Sequence, residues 1–336
     1  MKNLLPLAAT FAFVLPPAQA QDQATSLCAA TQKAAVVVRA TVVAATDPSP
    51  LWHRLQLHGD ELLHGTIDAD FTLVEPAGAC CGRSLFALEI GERCLLMLEW
   101  RGPALHVFGG SRGVLPDDPA IVAHVRALLA ATDDAQRAAL LAASLTAAQP
   151  RIADDAACAL AALPQLALSA AGRAAVVSAL HGDVLRGATR AAPLVDVVVR
   201  LHDATMLDAV LPTYLGTARA DQAALLRRGL SRCDAPLVID RMMLAVDGSE
   251  TKQVRAAQLL ATLPPDQARV GMQQMLARTT NPRVLFHLAE GMLAIGVPGQ
   301  AVAAQMPASM QLPVLRLAQQ RHDRAKTFRS IDPLRR

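Results

Sequence analysis

The sequence predicts an α+β chain of two domains, a small five-stranded β barrel followed by an all-α solenoid of repeated helix pairs. The hydrophobic period changes near Pro116 from two, the period of a half-buried strand, to between three and four, the period of an amphipathic helix. Before that point, about five apolar runs are joined by short turns, a size that suits a small barrel. After it, helix starts at Asp221, Glu250 and Asn281 fall about 30 residues apart with another helix between each pair, the mark of stacked units. The composition agrees: 52% of residues are hydrophobic but only 3% aromatic, which favours Ala/Leu helix packing.

Residues 1–20 read as an export signal. Lys2 supplies the positive start, residues 4–15 are apolar, and Ala18 and Ala20 give the small residues a signal peptidase reads. The apolar run is shorter than the roughly 20 residues a membrane span needs, so a cleaved leader and a periplasmic or secreted protein are expected, without transmembrane insertion. The expected division is then residues 21–116 for the β domain, 117–320 for the helical domain and 321–336 for a frayed basic tail.

Residues 21–27 are polar and expected to lack structure. In the first strand Val36, Val38, Ala40, Val42 and Ala44 form one apolar face, with Val37, Arg39, Thr41 and Val43 opposite. Asp47, Pro48, Ser49 and Pro50 make a turn, and a second strand follows from Trp52 to His58 with Leu55 and Leu57 inward. Gly59 and Gly65 then bracket a short element. Residues 66–74 alternate, with Ile67, Ala69, Phe71 and Leu73 inward. Gly91-Glu92 introduces a strand whose Cys94, Leu96, Leu98 and Trp100 share an apolar face, and a last strand covers residues 104–108. Helices are expected to start near Pro119, Asp134, Pro150, Ser169, Arg190, Met206, Asp221, Ala235, Glu250, Pro265, Pro282 and Gln311, set apart by caps and breakers such as Asp133, Ser249 and Asn281. Pro150, Ile152, Ala157, Leu160 and Leu163 recur as Pro282, Val284, Ala289, Met292 and Ile295, and Val254, Ala257, Leu260 and Leu263 form a looser copy.

Charge excludes a broad nucleic-acid surface. Residues 21–116 carry 7 basic and 10 acidic side chains; residues 117–336 carry 24 and 19, and the last 21 residues alone hold 7 and 2. The helical body is therefore neutral, and only the tail could steer the chain to an acidic surface.

Several short motifs resemble netrin-like domains, the family of the tissue inhibitors of metalloproteinases. They are Cys28, the turn Leu62-Leu63-His64-Gly65, the pair Cys81-Gly82, and Gly91-Glu92-Arg93-Cys94-Leu95-Leu96-Met97-Leu98. The resemblance covers residues 28–115 and implies an OB-like barrel. The inhibitors chelate zinc through an N-terminal Cys amine. Cys28 would be the eighth residue of a chain starting at Gln21, so that chemistry is not expected. Residues 117–320 resemble short HEAT-like repeats.

An exported protein meets an oxidising compartment, where nearby cysteines pair. The matched Cys81-Gly82 favours a Cys28–Cys81 disulfide, with Cys80 as rival for Cys28. Such a loop of about 50 residues would contribute roughly 3–4 kcal/mol. Cys94 reads as a small hydrophobe, with a Cys80–Cys94 bond as the alternative, and Cys158 and Cys233 read as buried thiols in helix seams.

No metal, cofactor or catalytic site is expected. His53, His58, His64 and His106 lie near acidic residues, but His58-Gly-Asp-Glu-Leu-Leu-His64 matches no ligand spacing. Residues 109–113 could form an anion nest but read as an interdomain turn. Asp154 and Asp155 read as a solvated helix face. The expected function is non-catalytic binding or scaffolding of another envelope protein. The alternatives are a protease-inhibitor-like module, or an envelope enzyme or metal-binding accessory protein.

Overall fold

The computed structural model describes residues 26–49, 52–76, 88–109, 113–186, 190–217 and 219–331. The expected leader and both Cys80 and Cys81 lie outside the described residues. The chain is α+β and divides into two compact units, Met1–Asp118 and Pro119–Arg336.

The first unit opens with helix α1 (Leu27–Lys33), which the sequence did not predict; of the segment 21–27 expected to lack structure, residues 21–25 lie outside the described residues. Ser26 caps it, its Oγ accepting from the Ala29 N–H at 3.0 Å. Six strands follow: β1 (Val36–Ser49), β2 (Trp52–His64), β3 (Asp70–Pro76), β4 (Arg93–Arg101), β5 (Ala104–Val107) and β6 (Val114–Pro116). They form one antiparallel sheet in the order β3-β2-β1-β4-β5. β6 pairs with residues 94–96 of β4 while β5 pairs with residues 98–101, so the two short strands share one side of β4.

The sheet curls into a half-barrel. β1 and β2 shift register four times along their length, and each bulge adds local twist. Val36, Val38, Ala40 and Val42 alternate inward with Leu55, Leu57, Leu73, Cys94, Leu96 and Leu98 to fill the concave core. Each such Leu or Val contributes about 1.5–3 kcal/mol when fully buried. Val37, Leu95 and Met97 are also completely buried on the other face, and α1 packs on β4.

Two further details depart from the sequence reading. β2 runs unbroken through Gly59 to His64, so the separate short element does not form. Gly65 ends it at φ +84°, where a Cβ would sit 2.0 Å from the Ala35 carbonyl oxygen and only glycine fits. β6 adds a strand after the expected last one.

The second unit holds α2 (Pro119–Ala130), α3 (Asp134–Ser144), α4 (Pro150–Ala162), α5 (Ala170–Arg186), α6 (Ala191–Leu201), α7 (Ala204–Gly216) and α8 (Ala220–Leu230). Then come α9 (Ala235–Met243), α10 (Glu250–Leu260), α11 (Pro265–Leu276), α12 (Pro282–Ala294), α13 (Gly299–Ala304) and α14 (Ala308–Ile331). Caps follow from sequence: Asp133, Gln149 and Asn281 each accept from a backbone N–H of the first turn, and Pro150 and Pro282 occupy the first helical position. The short α13 was not expected. α14 continues to Ile331, where a frayed tail from residue 321 was expected.

Helices touch their neighbours and also their second neighbours. α3, α5, α7, α10, α12 and α14 contact one another in succession, while α4, α6 and α8 form a parallel series. Most of the recurrent positions are buried: Ile152, Ala157, Leu160, Val254, Ala257, Leu260, Val284, Ala289 and Met292 all face the core, whereas Pro150 and Pro282 are exposed and Ile295 is half-buried. Close approach is enforced at Gly229, where a Cβ would lie 1.7 Å from Val195 Cγ1.

Candidate binding cleft

Both tryptophans of the chain open into one hollow of the β unit. Trp52 starts β2 and pairs with Pro76; Trp100, next to last in β4, pairs with Leu105. These registers bring the two indoles to a cleft of about 710 Å³ that also takes in residues of β3 and β5, the outermost strands of the sheet path. Trp52 is 45% and Trp100 52% exposed. Ile67, Phe71 and Leu105 supply apolar floor continuous with the core.

Trp100 was expected inward with Cys94, Leu96 and Leu98. Those three are buried, but the side chain of Trp100, at the end of the strand, emerges half into solvent. An exposed indole keeps apolar surface in water, so two of them in one hollow form a surface with unused binding energy.

The charged lining is one-sided. Asp68 and Asp70 border the cleft, and among the described residues no Lys or Arg lines it. Asp70 accepts a hydrogen bond from, or pairs with, His58 Nδ1 at 2.7 Å. That bond, with the charge of Asp70 behind it, raises the His58 imidazole above its ordinary value. The chemistry on offer is burial of apolar stems, stacking on indole faces and attraction of positive charge.

A separate polar cluster braces the same unit. Arg39 binds Asp117 through two nitrogens and Glu61 through a third. Arg93 reaches Asp60 at 3.4 Å and Asp117 at 3.6 Å, and Thr41 donates to Asp60 at 2.7 Å. Every charge in this cluster is matched, so its role is to tie β1, β2, β4 and the segment after β6 together.

The other sequence candidates scatter. Cys28 is buried in α1, and its expected partners Cys81 and Cys80 are outside the described residues, so that pairing stays an expectation. Cys94 is buried, with its thiol 3.7 Å from the Ala40 carbonyl; burial pushes it up to about 12, which makes it unreactive. Cys158 sits half-buried in α4, and Cys233 half-buried just past α8. Among the described residues, no group of three or more His, Cys, Asp and Glu side chains could hold a metal ion. Residues 109–113 spell Gly-x-Ser-x-Gly, the pattern of a nucleophile elbow. An elbow needs a strand running into a helix, whereas strands β5 and β6 stand on the two sides here. Asp155 is 6% exposed, so it is not part of a solvated acidic face.

The helical unit has a hollow of about 740 Å³ between α5 and α7. Its polar groups are already engaged: Arg173 pairs with Asp203 at 3.2 Å, and His181 with Thr213 at 2.9 Å. The β-unit cleft, with unengaged indoles, is the stronger candidate. Among the described residues no helix is long and apolar enough to cross a membrane.

Sequence reasoning missed the cleft because Trp52 and Trp100 lie 48 positions apart, in strands that are not neighbours in the sheet. The available signal was scarcity: a chain with 2 tryptophans placed both at strand ends. No family model, curated protein or solved structure matches the chain.

Proposed function

We propose that this chain is a non-catalytic protein-binding protein of the bacterial envelope, built from a netrin-like, OB-type β unit and a HEAT-like helical solenoid. The carrying observation is the pair of half-exposed tryptophans in one acid-bordered cleft. The partner is another envelope protein, a segment of which lies in the cleft and buries both indoles.

The OB-type reading is supported by the curled antiparallel sheet and by where the resembling motifs fall. Leu62-Leu63-His64-Gly65 ends β2, and Gly91-Glu92 turns into β4. The solenoid reading is supported by second-neighbour helix contacts and by polar pairs that recur at a constant spacing. Asp208 pairs with Arg241 and Glu250 with Arg283, each 33 residues on. A helix pair of that length cannot bury its own apolar face, so stacking is its stable form. Export rests on residues 1–20, and the basic end of the chain would steer the protein to acidic surfaces.

The test is photo-crosslinking in intact cells of the source bacterium, with benzoylphenylalanine replacing Trp52 or Trp100. The same discrete protein adduct is expected from both positions and not from a probe at Val270 on α11. Absence of an adduct at both cleft positions overturns the proposal.

A further inference from the structure

We infer that the cleft takes an extended peptide segment bearing Lys or Arg side chains, and that Asp68, Asp70 and the two indoles select it. This rests on the protein-binding reading above and names the chemistry of the partner. Charge complementarity carries it. Among the described residues the cleft is bordered by two exposed carboxylates, Asp70 being paired with His58, and by no Lys or Arg, and residues 21–116 as a whole carry three more acidic than basic side chains.

The indoles add a second, independent selection. A Lys or Arg side chain has a long apolar stem and a cationic head, the combination this cleft can satisfy along its length. The stem covers the apolar floor formed by Phe71, Ile67 and Leu105. The head reaches an indole face, where the ring quadrupole attracts a cation, or an aspartate carboxylate. A neutral apolar side chain would use only the floor, and an acidic one would be repelled by Asp68 and Asp70.

An extended main chain is the fitting shape because the cleft follows β3. Asp70, Phe71, Thr72 and Val74 of that strand line it, and β5 lies across the hollow in contact with β3. A peptide lying along the cleft can place alternate side chains into the hollow.

The chain carries its own reporter. Its 2 tryptophans both line the cleft, so intrinsic tryptophan fluorescence of the full chain reads occupancy of this site directly. Peptides free of aromatic residues, of the alternating forms Lys-Val, Thr-Val and Glu-Val, are titrated into it at low ionic strength. The expected result is a saturable change with the Lys-Val peptide, weakened by added salt, and at least tenfold weaker binding of the other two. The Asp68→Asn, Asp70→Asn double variant is expected to lose about three- to tenfold for the Lys-Val peptide alone. Both aspartates are exposed, so this variant keeps its fold.

Saturable binding of the Thr-Val peptide with equal strength, unaffected by the double variant, would overturn the cationic selection and leave the protein-binding reading standing. Failure of all three peptides, together with a crosslinked partner at position 52, would overturn it in the same way. A dimer of this chain that Trp52→Ala and Trp100→Ala abolish would make a second copy the occupant, and the inference would fall. Failure of the peptides and of the crosslink together would remove both readings.

Discussion

Arg39 and Asp117, 78 residues apart in sequence, form a two-pronged ion pair: Nε meets Oδ1 at 2.8 Å and Nη2 meets Oδ2 at 3.0 Å. The remaining nitrogen of the fork takes Glu61 at 2.7 Å. The planar guanidinium thus joins β1 and β2 to the residue that follows β6, closing the ends of the first unit on each other. Lysine cannot reproduce this, because its ammonium lacks the planar fork that grips Asp117 with two parallel bonds.

Arg39→Lys is therefore expected to lower stability by about 1–2 kcal/mol, a value reduced for the solvent that still reaches the pair. Asp117→Asn should cost a similar amount. Arg39 holds the Asp117 carboxyl below its ordinary value through the hydrogen bonds, with the charges of Arg39 and Arg93 adding to them. The folded pKa is the lower one, so this stabilisation is complete above the ordinary aspartate range and lost as pH falls through the folded value. Urea unfolding from pH 7 down to pH 3 checks it: the wild type should lose its advantage over Asp117→Asn at the acid end. A constant difference would contradict the linkage.

A second acid response belongs to the helical unit and a higher pH window. His124 of α2 is buried, its Nδ1 is 3.4 Å from the Ser144 hydroxyl, and its Nε2 has no hydrogen-bond partner. Burial lowers its pKa. Stability is then full above the ordinary histidine value of about 6.5 and falls as pH drops toward the folded value, because the unfolded chain takes up the proton more readily. His124→Leu is expected to flatten the melting temperature of the helical unit between pH 7 and pH 5. An unchanged slope in the variant would rule His124 out as the source.

Gly229 predicts a suppressible defect. A methyl group there collides with Val195 Cγ1 at 1.7 Å, so Gly229→Ala should destabilise by about 1–3 kcal/mol through forced separation of α6 and α8. Val195→Ala in the same chain should recover part of that loss, giving a coupling of about 1 kcal/mol in a double-mutant cycle. Additive effects would mean that the helices adjust elsewhere.

Tyr214 is the single tyrosine, fully buried in α7, and its hydroxyl donates to the Arg255 carbonyl of α10 at 2.8 Å. Burial pushes its phenol up to about 12. A raised folded pKa means stability that is whole below about pH 10 and declines as pH rises toward the folded value. Absorbance at the phenolate band should show one late transition coincident with unfolding. Tyr214→Phe should cost about 1 kcal/mol from the lost bond. Early titration near the ordinary value would place the ring in solvent.

The helix starts were legible where local chemistry announces them. Pro150 and Pro282 at first helical positions, with Gln149 and Asn281 before them, need no tertiary information. Strand parity was equally readable: Leu55, Leu57, Cys94, Leu96 and Leu98 face the core as their alternation requires. Glu61–His64 was misread because Gly59 looks like a breaker, yet here it lies within β2 and donates to the Ala69 carbonyl at 2.7 Å. α1 escaped notice because seven residues cannot show a helical period. The cleft was illegible because parity assigns a side to each residue but cannot say that a strand end leaves the core. Trp100 obeys the alternation and still faces water.

The pairings of β4 bear on the order in which the molecule assembles. One of its neighbours comes from far away in sequence: Val36 joins Leu98. A nascent chain cannot complete this sheet until nearly all of the first unit has left the ribosome, whereas Asp208 meets Arg241 and Glu250 meets Arg283 only 33 residues on. Loop-closure entropy must be met before distant contacts repay it, so the sheet is the slow step and the helices the fast one. The part of the molecule that carries the cleft is thus the part that matures last, and its indoles spend that interval as sticky surface.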